Sequence, residues 1–268
     1  MKSCFVLGCI VLSLRIGYPL FAQEMNVSPF LGGDLGGSSE EKVITSEEIE
    51  EKHKKELLEM ARARIKESAL YGILMGYYAI REENIGICDT IDSKFASQRC
   101  RETFNEFMPD RYMGEGRCSL IKNSDKRHIC RALKEDNCSG LGDKNRGICE
   151  ALEKGDPRML LRAFNTAGYR YSYKDSLISL AFFSGYRYYS IIPCERYAKD
   201  LTYEKKLGCM ILFSDNADII EDFVEDLTIL SFSRLKNDLE ACKMIKNSTI
   251  RKACENRNIE DVDALVMK

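Results

Sequence analysis

The sequence predicts an all-α protein: an array of helical hairpins, each closed by a local disulfide, with a long helix at the N-terminal end. Three observations support this prediction. Cysteines recur in pairs at a nearly constant spacing, and apolar residues recur at three- and four-residue steps. No stretch of any length alternates apolar and polar residues as a strand does. The hairpins are expected to stack as a solenoid-like array or to pack as an irregular helical bundle.

One cysteine-bounded unit occurs twice in nearly the same form. Residues 118–130 read C-S-L-I-K-N-S-D-K-R-H-I-C, and residues 242–254 read C-K-M-I-K-N-S-T-I-R-K-A-C. Both units have Ile three residues after the first cysteine, then Lys-Asn-Ser, and Arg three residues before the second cysteine. Looser copies of the unit run over residues 88–100, 138–149 and 194–209.

We interpret each unit as a helical hairpin. The first cysteine would lie in the last turn of one helix, and the second about two turns into the next helix. Short polar residues between them would cap the second helix. In an antiparallel pair, cysteines twelve apart lie level, within the ~7 Å that a disulfide needs. The spacing thus predicts five structural disulfides: Cys88–Cys100, Cys118–Cys130, Cys138–Cys149, Cys194–Cys209 and Cys242–Cys254.

A metal site is the competing interpretation of the cysteines. Zinc sites built on cysteine usually contain knuckles with two to four residues between the ligands. Outside the first 22 residues, the closest two cysteines are Cys130 and Cys138, with seven residues between them. The whole chain contains only two histidines. Structural disulfides are therefore favoured, and we expect neither a metal nor another cofactor.

The N-terminal residues have the pattern of a secretory signal peptide. Met-Lys is followed by an apolar stretch to about Leu14 and by Phe-Ala-Gln, which places the cleavage site after Ala22. Removing residues 1–22 leaves ten of the twelve cysteines, and 38 basic against 42 acidic residues, a net charge of −4. An even number of cysteines suits an oxidising compartment. The mixed charge argues against a nucleic-acid partner.

The remaining chain divides into a leader and a helical region. Residues 23–44 are rich in Gly and Ser and are predicted to form a flexible leader. We expect residues 45–155 to hold the long helix and three hairpins, and residues 156–268 to hold further helices and two hairpins. Residues 45–268 could also form one continuous domain.

The long helix is expected over residues 46–83, with a chain break at Pro109 after the first hairpin. Further helices are predicted over residues 157–167, 174–192 and 216–239. The longest apolar run after the signal peptide, over residues 69–80, is twelve residues long and too short to span a bilayer. We therefore expect no transmembrane segment in the mature chain.

Catalytic motifs are absent from the sequence. His53 and His128 have no motif around them, and no nucleophile elbow, zinc-protease motif, phosphate loop or C-x-x-C pair occurs. We therefore assign no catalytic residue. Paired carboxylates at Glu221, Asp222 and Asp226 could serve a small secreted hydrolase. A solvated helix face is the more frequent explanation of such pairs.

The most unusual composition lies between Tyr169 and Tyr203, where eight of the thirteen tyrosines fall. The sequence Gly-Tyr-Arg-Tyr occurs there twice, at residues 168–171 and 185–188. Tyrosine and arginine are favoured at protein interfaces, although they can also cover a core at helix ends. The candidate partner-binding residues are Tyr169, Arg170, Tyr171, Tyr186, Arg187, Tyr188 and Tyr189.

Together these features predict an exported protein, periplasmic or extracellular, that acts as a binding or scaffold module. Its partner would be another protein or a component of the cell envelope, which leaves a purely structural envelope component open as well. The alternative is the small secreted hydrolase with paired carboxylates.

Overall fold

The computed structural model describes residues 46–169, 172–197 and 200–256, and this part of the chain is helical with no strand. The predicted all-α fold is confirmed. The helices are α1 Ser46–Glu67, α2 Ala69–Arg81, α3 Lys94–Gly114, α4 Ser124–Lys134, α5 Asp143–Lys154, α6 Pro157–Thr166, α7 Tyr173–Tyr188, α8 Ile192–Tyr197, α9 Tyr203–Leu212, α10 Ile219–Lys236 and α11 Ser248–Glu255.

Five local disulfides connect neighbouring elements, with the pairing predicted from the cysteine spacing. Their Cα–Cα distances lie between 5.5 and 5.8 Å, and their partners are 11 to 15 residues apart. Closing a loop of this size stabilises a fold by roughly 3 kcal/mol in the chain-entropy description. The bridges are Cys88–Cys100, Cys118–Cys130, Cys138–Cys149, Cys194–Cys209 and Cys242–Cys254.

In most hairpins, the segment that carries the first cysteine is not the α-helix that was predicted. Four of the five first cysteines lie in short 3₁₀ turns, and only Cys194 lies in an α-helix, α8. A short 3₁₀ turn forms here because the residues that follow the cysteine must be extended to cap the next helix. Ile121, for example, donates its N–H to the Cys118 carbonyl and then adopts φ −79° and ψ 117° with its side chain buried. The 3₁₀ turns are Ile85–Thr90, Cys118–Leu120, Cys138–Gly140 and Glu240–Met244.

The repeated Lys-Asn-Ser and Arg positions have a structural explanation. Asn123 and Asn247 are N-caps, and their side-chain oxygens accept from backbone N–H groups of α4 and α11. Arg127 and Arg251 each donate through Nε to the carbonyl of the isoleucine six residues earlier, at 2.8 and 2.7 Å. The cap and the arginine thus hold the turn from both sides, in addition to the disulfide.

The N-terminal helix ends earlier than predicted. Ser68 interrupts the expected helix over residues 46–83, so that α1 and α2 are separate. The Ser68 backbone is extended, and its hydroxyl accepts from the N–H of Tyr71 and donates to the carbonyl of Ile65. A buried serine can satisfy backbone groups in this way, which makes it a better N-cap than an interior helix residue.

Pro109 does not break the chain, contrary to the prediction. It lies inside α3, and the helix continues to Gly114. A proline leaves the carbonyl four residues earlier without its N–H donor. That residue is Asn105, which is exposed, so water can satisfy its carbonyl.

Two hydrophobic cores lie on either side of α7. The larger core joins α2, α3, α7, α9, α10 and α11. At its centre the rings of Tyr77, Phe107 and Phe182 meet, with centroids 5.3 to 5.8 Å apart. The smaller core joins α4, α5 and α6 to the end of α3, and Leu180 and Phe183 of α7 complete it. The division at residues 155 and 156 remains a prediction. None of the described helices is long and apolar enough to cross a membrane.

Two glycines bring α2 and α3 into close contact. A Cβ atom at Gly72 would lie 2.3 Å from the carbonyl oxygen of Ala96. At Gly76 it would lie 2.5 Å from Cβ of Thr103 and 2.8 Å from the carbonyl oxygen of Cys100. The small residues are therefore required by packing, since a glycine inside a helix otherwise destabilises it.

We expect Gly76→Ala to destabilise the protein, because overpacking a tight helix contact costs about 1–3 kcal/mol and outweighs the better helix propensity of alanine. The measurement is the midpoint of urea unfolding. Gly140→Ala is the matched control, since nothing lies within 4 Å of its added methyl group. Equal midpoints for the two variants would contradict the close contact between α2 and α3.

Candidate interaction surface

Three large side chains are exposed where α7 ends. Tyr188 is 68% exposed, Tyr189 80% and Ile192 60%. We name these three residues the aromatic patch. The preceding part of α7 is buried instead, since residues 176–183 all lie away from solvent. The patch thus lies at the solvent-facing end of a helix whose middle is fully buried.

The turn under the aromatic patch is held by Ser190. Its N–H donates to the carbonyl of Gly185 at 2.9 Å, and its hydroxyl accepts from the N–H of Ile192 at 3.2 Å. Cys194 follows two residues later and is bonded to Cys209 in α9. Hydrogen bonds and the disulfide therefore fix the backbone that carries the exposed side chains.

Tyr189 occupies a backbone conformation that favours glycine. Its φ of 48° and ψ of 51° are left-handed, and its N–H donates to Gly185 to end α7. Glycine occupies the left-handed position after α5, at Gly155. A bulky residue there is strained by about 1 kcal/mol or more. Because the exposed Tyr189 ring buries little, packing within the chain does not account for a tyrosine at this position.

Arg187 lies between the aromatic patch and the smaller core. One terminal nitrogen donates to Asp136 at 3.1 Å, and the guanidinium lies 5.7 Å from the centroid of the Phe183 ring. The Asp136 side chain is 73% exposed. An ion pair this exposed contributes little to stability. Arg187 is thus positioned by the ring as well as by the pair.

The other candidate residues of this segment are distributed differently. Tyr186 lies in the larger core at 6% exposure, where burial raises its pKa, and Arg111 lies 5.0 Å over its ring. Tyr169 is half-buried and packs edge-on against Phe164, with centroids 5.9 Å apart. Arg170 and Tyr171 lie outside the described residues. The structure therefore brings Arg187, Tyr188 and Tyr189 together and sets Tyr186 inside.

The three carboxylates of the hydrolase alternative all have structural partners. Glu221 pairs with Arg62 and Lys66 of α1, at 2.5 and 3.4 Å. Asp222 accepts from the side chain of Asn216 at 2.8 Å. These contacts hold the start of α10 against α1 and against the preceding loop.

Asp226 is buried and caps the last hairpin. It accepts from the backbone N–H groups of Lys246 and Asn247, at 2.9 and 2.7 Å. Asp222 also lies 4.0 Å from Nζ of the same Lys246. Each carboxylate is thus held by structural contacts, whereas a glycosidase needs two that face each other across a bond.

No sequence pattern indicated the buried polar cluster around Asp110. Asp110 in α3 is 4% exposed, lies 3.7 Å from Lys126 Nζ in α4, and shares a cavity of about 20 Å³ with Ser179 of α7. That volume suits a single water molecule. Burial raises the pKa of Asp110, and the Lys126 ammonium opposes only part of that effect. The remaining lining residues are Met113, Ile129, Ile148, Leu152, Phe164 and Tyr169.

Metal ligands are not grouped in the part of the chain that the structure describes. No three His, Cys, Asp or Glu residues there lie close enough to hold a metal ion. His53 and His128 are both exposed and far apart in sequence.

The chain matches no protein-family model, no curated protein and no solved structure.

Asp110→Asn is expected to shift the pH dependence of stability in one direction. The folded pKa of Asp110 is raised, so its favourable contribution is complete below the unfolded value of about 3.9 and is lost as pH rises through the folded value. The unfolding free energy of the variant should therefore increase relative to wild type as pH rises from about 3.9 through the folded pKa of Asp110. Urea midpoints across this range are the measurement.

Asp175→Asn is the control of opposite sign. Burial alone would raise the pKa of Asp175, but hydrogen bonds from Lys205 and Ser172 outweigh it and lower the pKa. Its contribution is present above about pH 3.9 and is lost as pH falls through the folded value. This variant should lose stability relative to wild type only as pH rises toward about 3.9, and the difference should stay constant above that pH. Urea midpoints measured from about pH 2 upward cover both cases, and slopes of the same sign would contradict the raised pKa of Asp110.

Proposed function

We propose that this chain is an exported binding module that recognises another protein, or a component of the cell envelope, through the aromatic patch. The observation that carries the proposal is the exposure of Tyr188, Tyr189 and Ile192 on a backbone held by Ser190 and by the Cys194–Cys209 disulfide. Tyrosine supplies large contact area at a low cost in conformational entropy, and exposed apolar clusters mark binding surfaces.

The rigidity of the surroundings supports a binding role. Two cores hold α7, so the patch projects from a fixed base. A preorganised surface loses less conformational freedom on binding and therefore binds more tightly. The strained conformation of Tyr189 supports the same role, since strained bulky residues cluster at functional sites.

Export is supported by the disulfides together with the N-terminal sequence. All ten described cysteines are in disulfides, and such bonds persist in oxidising compartments. The signal-peptide pattern over residues 1–22 lies outside the described residues. A periplasmic or extracellular location follows from both observations as part of this proposal.

The aromatic patch is expected to crosslink to a discrete partner. A photoreactive phenylalanine analogue at position 189, expressed in the natural host and irradiated, should give one or a few defined crosslinked species. The same analogue at Met244, which is 63% exposed, is the control and should give none of them. Identical crosslinks from both positions, or none from position 189, would overturn the proposed surface.

A variant of Tyr189 separates binding from folding. Tyr189→Gly should abolish the interaction and leave the protein at least as stable as wild type, because glycine relieves the left-handed strain. Pull-down of the crosslinked partner and the urea midpoint measure the two effects. Weaker binding together with a large loss of stability would mean that Tyr189 is a folding residue.

The exported protein should begin at Gln23. Its N-terminal sequence, determined from the periplasmic or culture fraction of the host, is the measurement, and cleavage after Ala22 is the expected result. Recovery of the chain with an intact N-terminus in the reducing cytoplasm would contradict export. That outcome would also leave the five disulfides without an oxidising environment.

A further inference from the structure

The ends of α3, α4 and α7 line a cleft of about 210 Å³, and its lining residue Arg187 directly precedes the aromatic patch in the chain. We name it the cationic cleft, after Lys134 and Arg187, which line it together with the acids Glu115 and Asp136. Its floor is fixed where α3 meets α7, since a Cβ atom at Gly114 would lie 2.6 Å from the carbonyl oxygen of Phe183. The cleft is smaller than the sites that bind whole drug-sized ligands, and its size suits one amino-acid side chain or chain end.

The negative charge of Glu115, on the floor of the cationic cleft, is balanced by two arginines within the chain. Glu115 has a side-chain exposure of 9%, and its two oxygens accept from Arg111 at 2.7 Å and from Arg117 at 2.9 Å. Its charge is therefore compensated locally and does not pair with the cations at the opening. A carboxylate arriving from outside would meet the positive groups of Lys134 and Arg187.

Both of these cations can accept a new carboxylate. Lys134 has no carboxylate within ion-pair distance among the described residues. Within residues 46–169, 172–197 and 200–256, Arg187 pairs with the exposed side chain of Asp136 alone, at a single nitrogen. A guanidinium has five N–H donors in a fork that fits a carboxylate in bidentate fashion. A ligand carboxylate can therefore replace Asp136 and add contacts that Asp136 does not make.

The geometry points to the cationic cleft as a carboxylate-binding subsite of the aromatic patch. Arg187 lines the cleft and immediately precedes Tyr188 and Tyr189 in the chain, so a partner that contacts the tyrosines can also reach the cleft. The carboxylate is an acidic side chain or the C-terminal end of the partner. The relevance to a protein partner rests on the proposed function, whereas the binding of a carboxylate does not.

Short peptides test the subsite directly on the mature full-length protein. The probes are acetyl-Gly-Leu-Glu-Gly-amide, its glutamine counterpart, and acetyl-Gly-Leu-Gly-Gly with a free terminal carboxylate. The readout is the backbone amide NMR resonances of Gly116 and Leu133, which line the cleft and are kept in every variant. We expect a saturable shift with one or both carboxylate peptides and none with the glutamine peptide. The peptide that binds identifies the source of the carboxylate.

Variants of the cations and of the competing acid test whether the peptides bind in the cleft. Arg187→Gln and Lys134→Gln should each weaken binding by about 10-fold or more, as expected for loss of a charge-assisted hydrogen bond. Lys252→Gln removes the same charge from an exposed position on α11 and should have no effect. Asp136→Asn removes the competing carboxylate and should strengthen binding severalfold. Its φ of 48° suits asparagine, so the fold is retained.

Two results would overturn the subsite. One is equal binding of the glutamine and glutamate peptides. The other is that neither carboxylate peptide saturates the protein at concentrations on the order of 10 mM. Crosslinking through Tyr189 could still succeed in either case, and the proposed function would then stand without the carboxylate. A saturable carboxylate site without any crosslinked partner would leave the cleft intact and remove the protein-binding role.

Discussion

The contacts of Arg111 are the interaction on which the packing of the central helices depends. Its guanidinium donates to the carbonyls of Ile80 and Arg81 at the end of α2, pairs with Glu83 and Glu115, and lies over the ring of Tyr186. One side chain thus adds a donor to the Ile80 carbonyl, which also accepts from the Glu83 N–H, supplies a donor to the Arg81 carbonyl, and links α2, α3 and α7. Its side chain is only 13% exposed. A buried cation needs all of these acceptors, which fixes the relative positions of the three helices and of the patch that extends from α7.

The disulfide pairing and most helices could be predicted from local sequence, because each depends on residues close together along the chain. A spacing of twelve residues with a cap between the cysteines restricts the pairing to neighbours. The break at Ser68 and the continuity through Pro109 could not be predicted in this way. They depend on whether a nearby carbonyl is buried or exposed, which is a property of the tertiary structure.

The candidate surface shows the same division. Composition singled out the Tyr/Arg segment, but it could not separate Tyr186 in the core from Tyr188 and Tyr189 in solvent. Helical spacing distinguishes these residues only once it is known where α7 ends. Asp110 was missed because it directly follows Pro109, where a chain break was predicted. Its burial comes from α4 and α7, which are distant in sequence, and no local pattern reports such a contact.

The pairing of each cysteine with the next one along the chain has a consequence for biogenesis. A chain that enters an oxidising compartment N-terminus first presents each cysteine to its native partner before any later cysteine arrives. Oxidation in order of emergence then gives the native set among the 945 possible pairings of ten cysteines. Such a chain needs an oxidant but no reshuffling of wrong bonds, and each loop closes over a short contour at a low entropic cost. If the chain is exported as proposed, its maturation then proceeds hairpin by hairpin, at the pace of translocation.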